Sequence, residues 1–137
     1  MARTIAEAVE KGRRGLLIAK RLWPQLVLVE EASSTDKAGQ DAYFRAGNVK
    51  VQVKTDETMA ETNNLYIELY EKTEGRSEQR WRHSPVDAGA YIFVTRGFAV
   101  IVGVDALANA IIGIPARQIR DTSIGFLLPL ERFFDNV

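Results

Sequence analysis

Residues 41 to 54, DAYFRAGNVKVQVK, constrain the fold more than any other stretch of the chain. Two short alternating runs flank a Gly-Asn pair, the pattern of a β-hairpin. Side chains alternate along a strand, so Gln52 and Lys54 project to one side while Val51 and Val53 project to the other. The valine face is a core face. A turn centred on Ala46-Gly47 sets Asp41 opposite Gln52; one centred on Gly47-Asn48 sets it opposite Lys54. Opposed residues share a face, so either register gathers Asp41, Gln52 and Lys54 on the polar side of the sheet. The same spacing also suits a half-exposed hairpin whose polar face is simply solvated.

An acid, an amide and a lysine held together have a definite chemistry. A carboxylate with a neighbouring oxygen ligand holds a hard cation such as Mg²⁺, which keeps several of its waters. Such an ion lowers the pKa of a bound water and polarises a phosphoryl oxygen, while an ammonium stabilises the negative charge that develops. This constellation resembles the active site of the PD-(D/E)XK nuclease superfamily. The resemblance implies that Asp41 is the main metal ligand, Gln52 a second ligand and Lys54 catalytic, with Mg²⁺ as cofactor and Mn²⁺ able to substitute. The departure is Gln52, where the family usually has Glu or Asp; the amide oxygen can coordinate, but one negative charge is lost. Further along, QVKTD, NNLYIELY, Trp81, Ser84 and AYIFV are similar to a small group of phage and bacterial nucleases with Holliday-junction-resolvase-like character. The likeness spans roughly residues 36 to 94. No role is carried over to Asp87, because the SPVDAGAY stretch is longer than that pattern.

Other acids are candidates for the same site. The resemblance allows an extra acid on the first helix, which points to Glu10. Glu30 ends the first strand, and Asp36 lies in the loop before Asp41. In LYIELY the apolar Leu65, Ile67 and Leu69 share one face, which leaves Glu68 between Tyr66 and Tyr70 on the other.

A chain of 137 residues, 46% of them hydrophobic, is expected to form a single domain over 1–137 with a sizeable core. No apolar run is long enough to span a membrane, and the N-terminus has no apolar core of a secretion signal, so a cytoplasmic protein, or one of the host cytoplasm if phage-encoded, is expected. With no cysteine and one histidine, His83, thiolate zinc sites, cysteine nucleophiles and His-rich metal sites are excluded. Net charge is zero, but residues 1 to 54 carry ten Lys/Arg against six Asp/Glu, and residues 55 to 137 carry eight against twelve. On the first helix Lys11, Arg13 and Arg14, with Lys20 and Arg21, offer contacts to a phosphate backbone; the plain alternative is a solvated helix face.

The element order is a helix over 4 to 22, with small or apolar positions at Ile5, Val9, Gly12, Leu16 and Ala19 and a Thr4/Glu7 capping box. Pro24 ends it. Strands follow at 26–30, 41–45, 49–54 and 65–70. A short helix is expected from Ser84-Pro85, a second hairpin around Arg96-Gly97, and a short helix capped by Asp105 and reaching Ile111. EKTEGRSEQRWR is expected to be a charged loop. The resemblance implies an α/β fold with a restriction-endonuclease-like α-β-β-β-α-β core and a mixed central sheet. Two function classes follow from it: a Mg²⁺-dependent endonuclease hydrolysing phosphodiester bonds in DNA, and a catalytically inactive nuclease-fold module that binds nucleic acid or a protein partner. Cleaving both strands needs two sites, so a homodimer is expected.

Overall fold

The computed structural model describes residues 5–29, 41–73, 76–79, 89–120 and 123–133. The protein is mixed α/β. Helix α1 (Ile5–Leu22) leads into β1 (Leu26–Leu28), β2 (Ala42–Phe44) and β3 (Val49–Thr55). Then come α2 (Met59–Thr62), β4 (Asn64–Thr73), β5 (Arg76–Gln79), β6 (Ala90–Val94), β7 (Ala99–Gly103), α3 (Val104–Ala110), β8 (Arg117–Arg120) and β9 (Ser123–Pro129). A five-stranded sheet has the order β1-β2-β3-β6-β7, and a four-stranded sheet the order β5-β4-β9-β8. In the first sheet β3 and β6 are parallel and the other neighbours antiparallel. The mixed sheet expected from the sequence is therefore present.

Each face of the five-stranded sheet carries its own core. On one face Val51, Ala90, Ile92 and Val94 pack with Leu26, Ala42 and Ala19 of α1. On the other, Tyr91, Phe93 and Val102 pack with Met59, Leu65, Ile67, Leu107 and Leu128. The alternation in β3 and β6 assigns these faces, since bridge partners Val53 and Ile92, or Lys54 and Phe93, share a side.

Several sequence expectations are corrected. The strand expected at 65–70 does form, running from Asn64 to Thr73, and it pairs with β9 in the second sheet, apart from the hairpin. The charged stretch expected to be a loop supplies the end of β4 and all of β5, paired from Tyr70↔Gln79 to Thr73↔Arg76. Asp105 does not cap α3: the N-cap is Gly103, and no side chain caps it. The buried face of α1 also differs. Val9 is 42% exposed and a Cβ at Gly12 would meet nothing within 4 Å beyond its own helix, whereas Ala19 is fully buried and Gly15 meets the sheet. A Cβ at Gly15 would lie 2.0 Å from Thr55 Oγ1 and 3.3 Å from Thr55 Cβ, so only glycine permits this approach. The Thr55 hydroxyl donates to the Lys11 carbonyl at 3.3 Å. Lys20, in the last turn of α1, donates to the carbonyls of Pro24 and Leu26 at 2.6 and 2.7 Å, which ties the helix end to the start of β1. Thr4, Ser84 and Pro85 lie outside the described residues. Among those described, no helix is long and apolar enough to cross a membrane.

Candidate active site

The β2–β3 register pairs Ala42 with Val51, Tyr43 with Lys50 and Phe44 with Val49, around the four residues Arg45 to Asn48. Gly47 (φ 76°) and Asn48 (φ 50°) take the left-handed conformations that such a tight reversal needs. The centre of this pairing is that of the first of the two alternatives open in the sequence, but the ladder ends at Ala42↔Val51, and Asp41 donates its N–H to the Val51 carbonyl instead of pairing with Gln52.

Asp41 is where β2 gives out. Its N–H donates to the Val51 carbonyl at 3.0 Å and its carbonyl accepts from Val29 N–H at 2.9 Å. Its carboxylate Oδ2 accepts from Val53 N–H at 2.8 Å. β3 runs on past the end of β2, and Val53 N–H would otherwise lack a ladder acceptor; the side chain takes that place. The backbone bond and the side-chain bond together fix the carboxylate beside the second half of β3.

Gln52 and Lys54 are half-buried. They align with Tyr91 and Phe93 of β6 and so stand at the margin of the second core, not on an open solvated surface. Tyr91 is 6% exposed, and burial raises its phenol pKa above the ordinary value. Its ring lies 6.0 Å from that of Phe93 at 21°, an aromatic wall beside the glutamine and the lysine. Lys54 lies near the carboxyl ends of the parallel pair β3/β6, where open α/β sheets bind ligands.

One acid at this end was not singled out in the sequence. Asp56 continues the ladder, its N–H donating to the Val94 carbonyl at 2.8 Å. Its Oδ1 accepts from Thr58 N–H (3.0 Å), Thr58 Oγ1 (2.8 Å) and Met59 N–H (3.2 Å), which caps α2. Its Oδ2 is buried with no hydrogen-bond partner. The Asp-x-Thr spacing before a short helix was the available signal, since such residues bond to the backbone just ahead of them. Thr95, buried at the end of β6, accepts from Ala60 N–H at 3.2 Å and ties α2 to the same end of the sheet.

The remaining candidates are not gathered here. Glu10 is exposed on α1, and α1 covers the Val51/Thr55 face, so the sheet separates Glu10 from Gln52 and Lys54. Arg13 and Arg14 are exposed on that same helix, and Lys11 is half-buried with its carbonyl bound by Thr55. The backbone of Glu68 sits in β4 of the second sheet, facing Gly125 beside a register shift; its side chain lies outside the described structure. Glu30, Asp36, Trp81, His83, Ser84 and Asp87 lie outside the described residues.

Mg²⁺ takes one or two carboxylates and retains several waters. One carboxylate at Asp41, already accepting from Val53, and one amide oxygen at Gln52 fit a weakly held ion rather than a closed site. Among the described residues no three His, Cys, Asp or Glu side chains form a metal-holding group. Comparison with family models, with curated proteins and with solved structures finds no match to this chain.

Proposed function

We propose that this chain is a metal-dependent phosphodiesterase that cuts within DNA strands, with Asp41, Gln52 and Lys54 at its centre. The observation that supports this reading is the bond from Val53 N–H to the Asp41 carboxylate, which holds that acid beside the residue between Gln52 and Lys54, both half-buried. Asp41 and Gln52 would hold Mg²⁺ or Mn²⁺. A bound divalent ion supplies an acidified water and neutralises charge on the phosphoryl oxygens. The Val53 N–H keeps the Asp41 carboxylate in one orientation, so the ligand is positioned before the substrate arrives. Lys54, half-buried in register with Phe93, would present its ammonium where water is partly excluded, and there it would stabilise developing negative charge more strongly than in bulk solvent. Cutting both strands requires two such centres, so a homodimer belongs to this proposal, as does a cytoplasmic setting where DNA is accessible.

The deciding experiment is nicking of supercoiled plasmid and of labelled junction, flap and duplex oligonucleotides, with Mg²⁺, with Mn²⁺ and with chelator. Metal-dependent cleavage by the native chain, lost in Lys54→Ala and in Asp41→Asn while circular dichroism stays native, is the expected result. Cleavage that survives both substitutions removes these residues from the mechanism.

A second reading has its own support. The engaged Asp41 carboxylate and the neutral Gln52 leave few charges for a metal, which favours a nuclease-fold module that binds nucleic acid or a protein without cutting. DNA binding without cleavage on any of these substrates, and no Mg²⁺ heat in calorimetry, would select it.

A further inference from the structure

Helix α1 is packed the unusual way round. An amphipathic surface helix buries its larger aliphatic residues and shows its small and polar ones. Here Gly15 and Ala19 face the sheet, because the approach to Thr55 leaves no room for a Cβ at position 15. The larger residues are left outside: Leu17 is 64% exposed, Leu22 53% and Ile18 41%. Of the seven large hydrophobic side chains exposed among the described residues, four lie on α1. Arg14, Leu17, Ile18, Arg21 and Leu22 follow i, i+3, i+4, i+7, i+8 spacing, so they form one stripe in which three aliphatics are interleaved with two arginines. All five are exposed.

The composition of the stripe selects its partner. A bare phosphate backbone would use Arg14 and Arg21 but leave Leu17, Ile18 and Leu22 in water. A second copy laid antiparallel about the centre of the stripe would set Arg14 against Arg21 of its neighbour. A lipid surface would take the aliphatics only by drawing the interleaved guanidiniums below the headgroups, since they lie within the stripe and not along its border. An amphipathic helix bearing carboxylates satisfies both halves. Its aliphatic ridge packs on Leu17, Ile18 and Leu22, and two acids seven residues apart, about 10.5 Å along a helix, form forked bonds with Arg14 and Arg21. We propose that this stripe of α1 is the docking face for an acidic amphipathic helix of a partner protein. The inference does not depend on the proposed catalysis, because the sheet separates α1 from Gln52 and Lys54.

The probe is an 18-residue helical peptide with Leu at core positions and Glu at the two positions that meet Arg14 and Arg21. A counterpart carries Lys for Glu, and a third is scrambled. Anisotropy titrations with the full chain are expected to show binding of the acidic peptide alone. Leu17→Ser with Ile18→Ser should weaken it at least about tenfold, the scale of losing a hydrophobic anchor. Arg14→Glu with Arg21→Glu should abolish acidic-peptide binding and switch on the Lys peptide, while circular dichroism reports an unchanged fold. No binding of the acidic peptide, or equal binding of the scrambled one, overturns the proposal. Tighter binding of phosphatidylglycerol vesicles, lost in the serine variant, would reassign the stripe to lipid. Duplex DNA binding lost in the glutamate variant and kept in the serine variant would reassign it to phosphate contact.

Discussion

Replacing Gly15 by alanine tests the contact on which the seating of α1 depends. The added Cβ would stand 2.0 Å from Thr55 Oγ1, well inside any tolerated separation, and 3.3 Å from Thr55 Cβ. Rotating the threonine relieves the first contact at the expense of its bond to the Lys11 carbonyl, but leaves the second. Overpacking of this kind costs about 1–3 kcal/mol, and the lost hydrogen bond about 0.5–1.5 kcal/mol. Against this, alanine is favoured over glycine inside a helix by about 1 kcal/mol. The net expectation for Gly15→Ala is a destabilisation of about 1–3 kcal/mol. Gly12 is the internal control: nothing lies within 4 Å of its virtual Cβ, so Gly12→Ala should gain up to about 1 kcal/mol from propensity alone. Urea unfolding followed by circular dichroism measures both. Thr55→Ala in the Gly15→Ala background should recover part of the loss, giving a favourable coupling in the double-mutant cycle. Equal stabilisation by alanine at positions 12 and 15 would refute the close-approach argument, and with it the reason the aliphatics of α1 face outward.

The other expectations concern the candidate site. Asp41→Ala leaves Val53 N–H without its side-chain acceptor and should cost about 1–3 kcal/mol in a urea melt, whereas Asp41→Asn keeps an oxygen there and should cost clearly less; equal losses would deny the carboxylate its place in the ladder. Gln52→Glu adds a negative charge beside the proposed ion, and should lower the Mg²⁺ concentration for half-maximal cleavage; an unchanged metal titration would mean that residue 52 is no ligand. Tyr91 has a folded pKa raised by burial above 10.0, so its contribution to stability is full below the unfolded pKa and is lost as pH rises from there through the folded pKa. Tyr91→Phe should therefore show a shallower stability loss above about pH 10 than the native chain, and parallel curves would contradict the burial.

The hairpin was legible because its signals are local: alternating valines, a Gly-Asn turn and an even loop. The partner of β4 was not. LYIELY has strand periodicity, and Leu65 and Ile67 are buried as that periodicity requires, but nothing local says that the strand pairs with β9 some sixty residues away. Glu71 to Gln79 holds a single β-favouring residue, Thr73, and was expected to be a loop. Pairing with an established strand overrides weak propensity there. On α1 the apolar stripe Ile5, Val9, Gly12, Leu16, Ala19 was plausible by hydrophobicity, yet the steric demand of Thr55 at Gly15 sets the rotation of the helix. The bond from Val53 N–H to Asp41 depends on where β2 stops, which sequence spacing does not specify.

β3 lies at the junction of all these findings, because alternate residues of one strand serve opposite sides of the sheet. Val51 and Thr55 belong to the α1 side, and Gln52 and Lys54 to the side of the second core. Gly15 meets β3 at Thr55, the chain neighbour of Lys54, and the ladder that pairs Lys54 with Phe93 of β6 resists movement there. Loss of stability in Gly15→Ala should thus precede any loss of site geometry, whereas charge reversal at Arg14 and Arg21 touches neither the Thr55 contact nor the Gln52/Lys54 face. The proposed docking stripe and the proposed catalytic face therefore lie on opposite sides of the sheet, and neither would obstruct the other. The same separation sets Glu10 on the other side of the sheet from Gln52. Asp56, two residues beyond Lys54 with one carboxylate oxygen buried and unpartnered, is the nearer negative group along the strand.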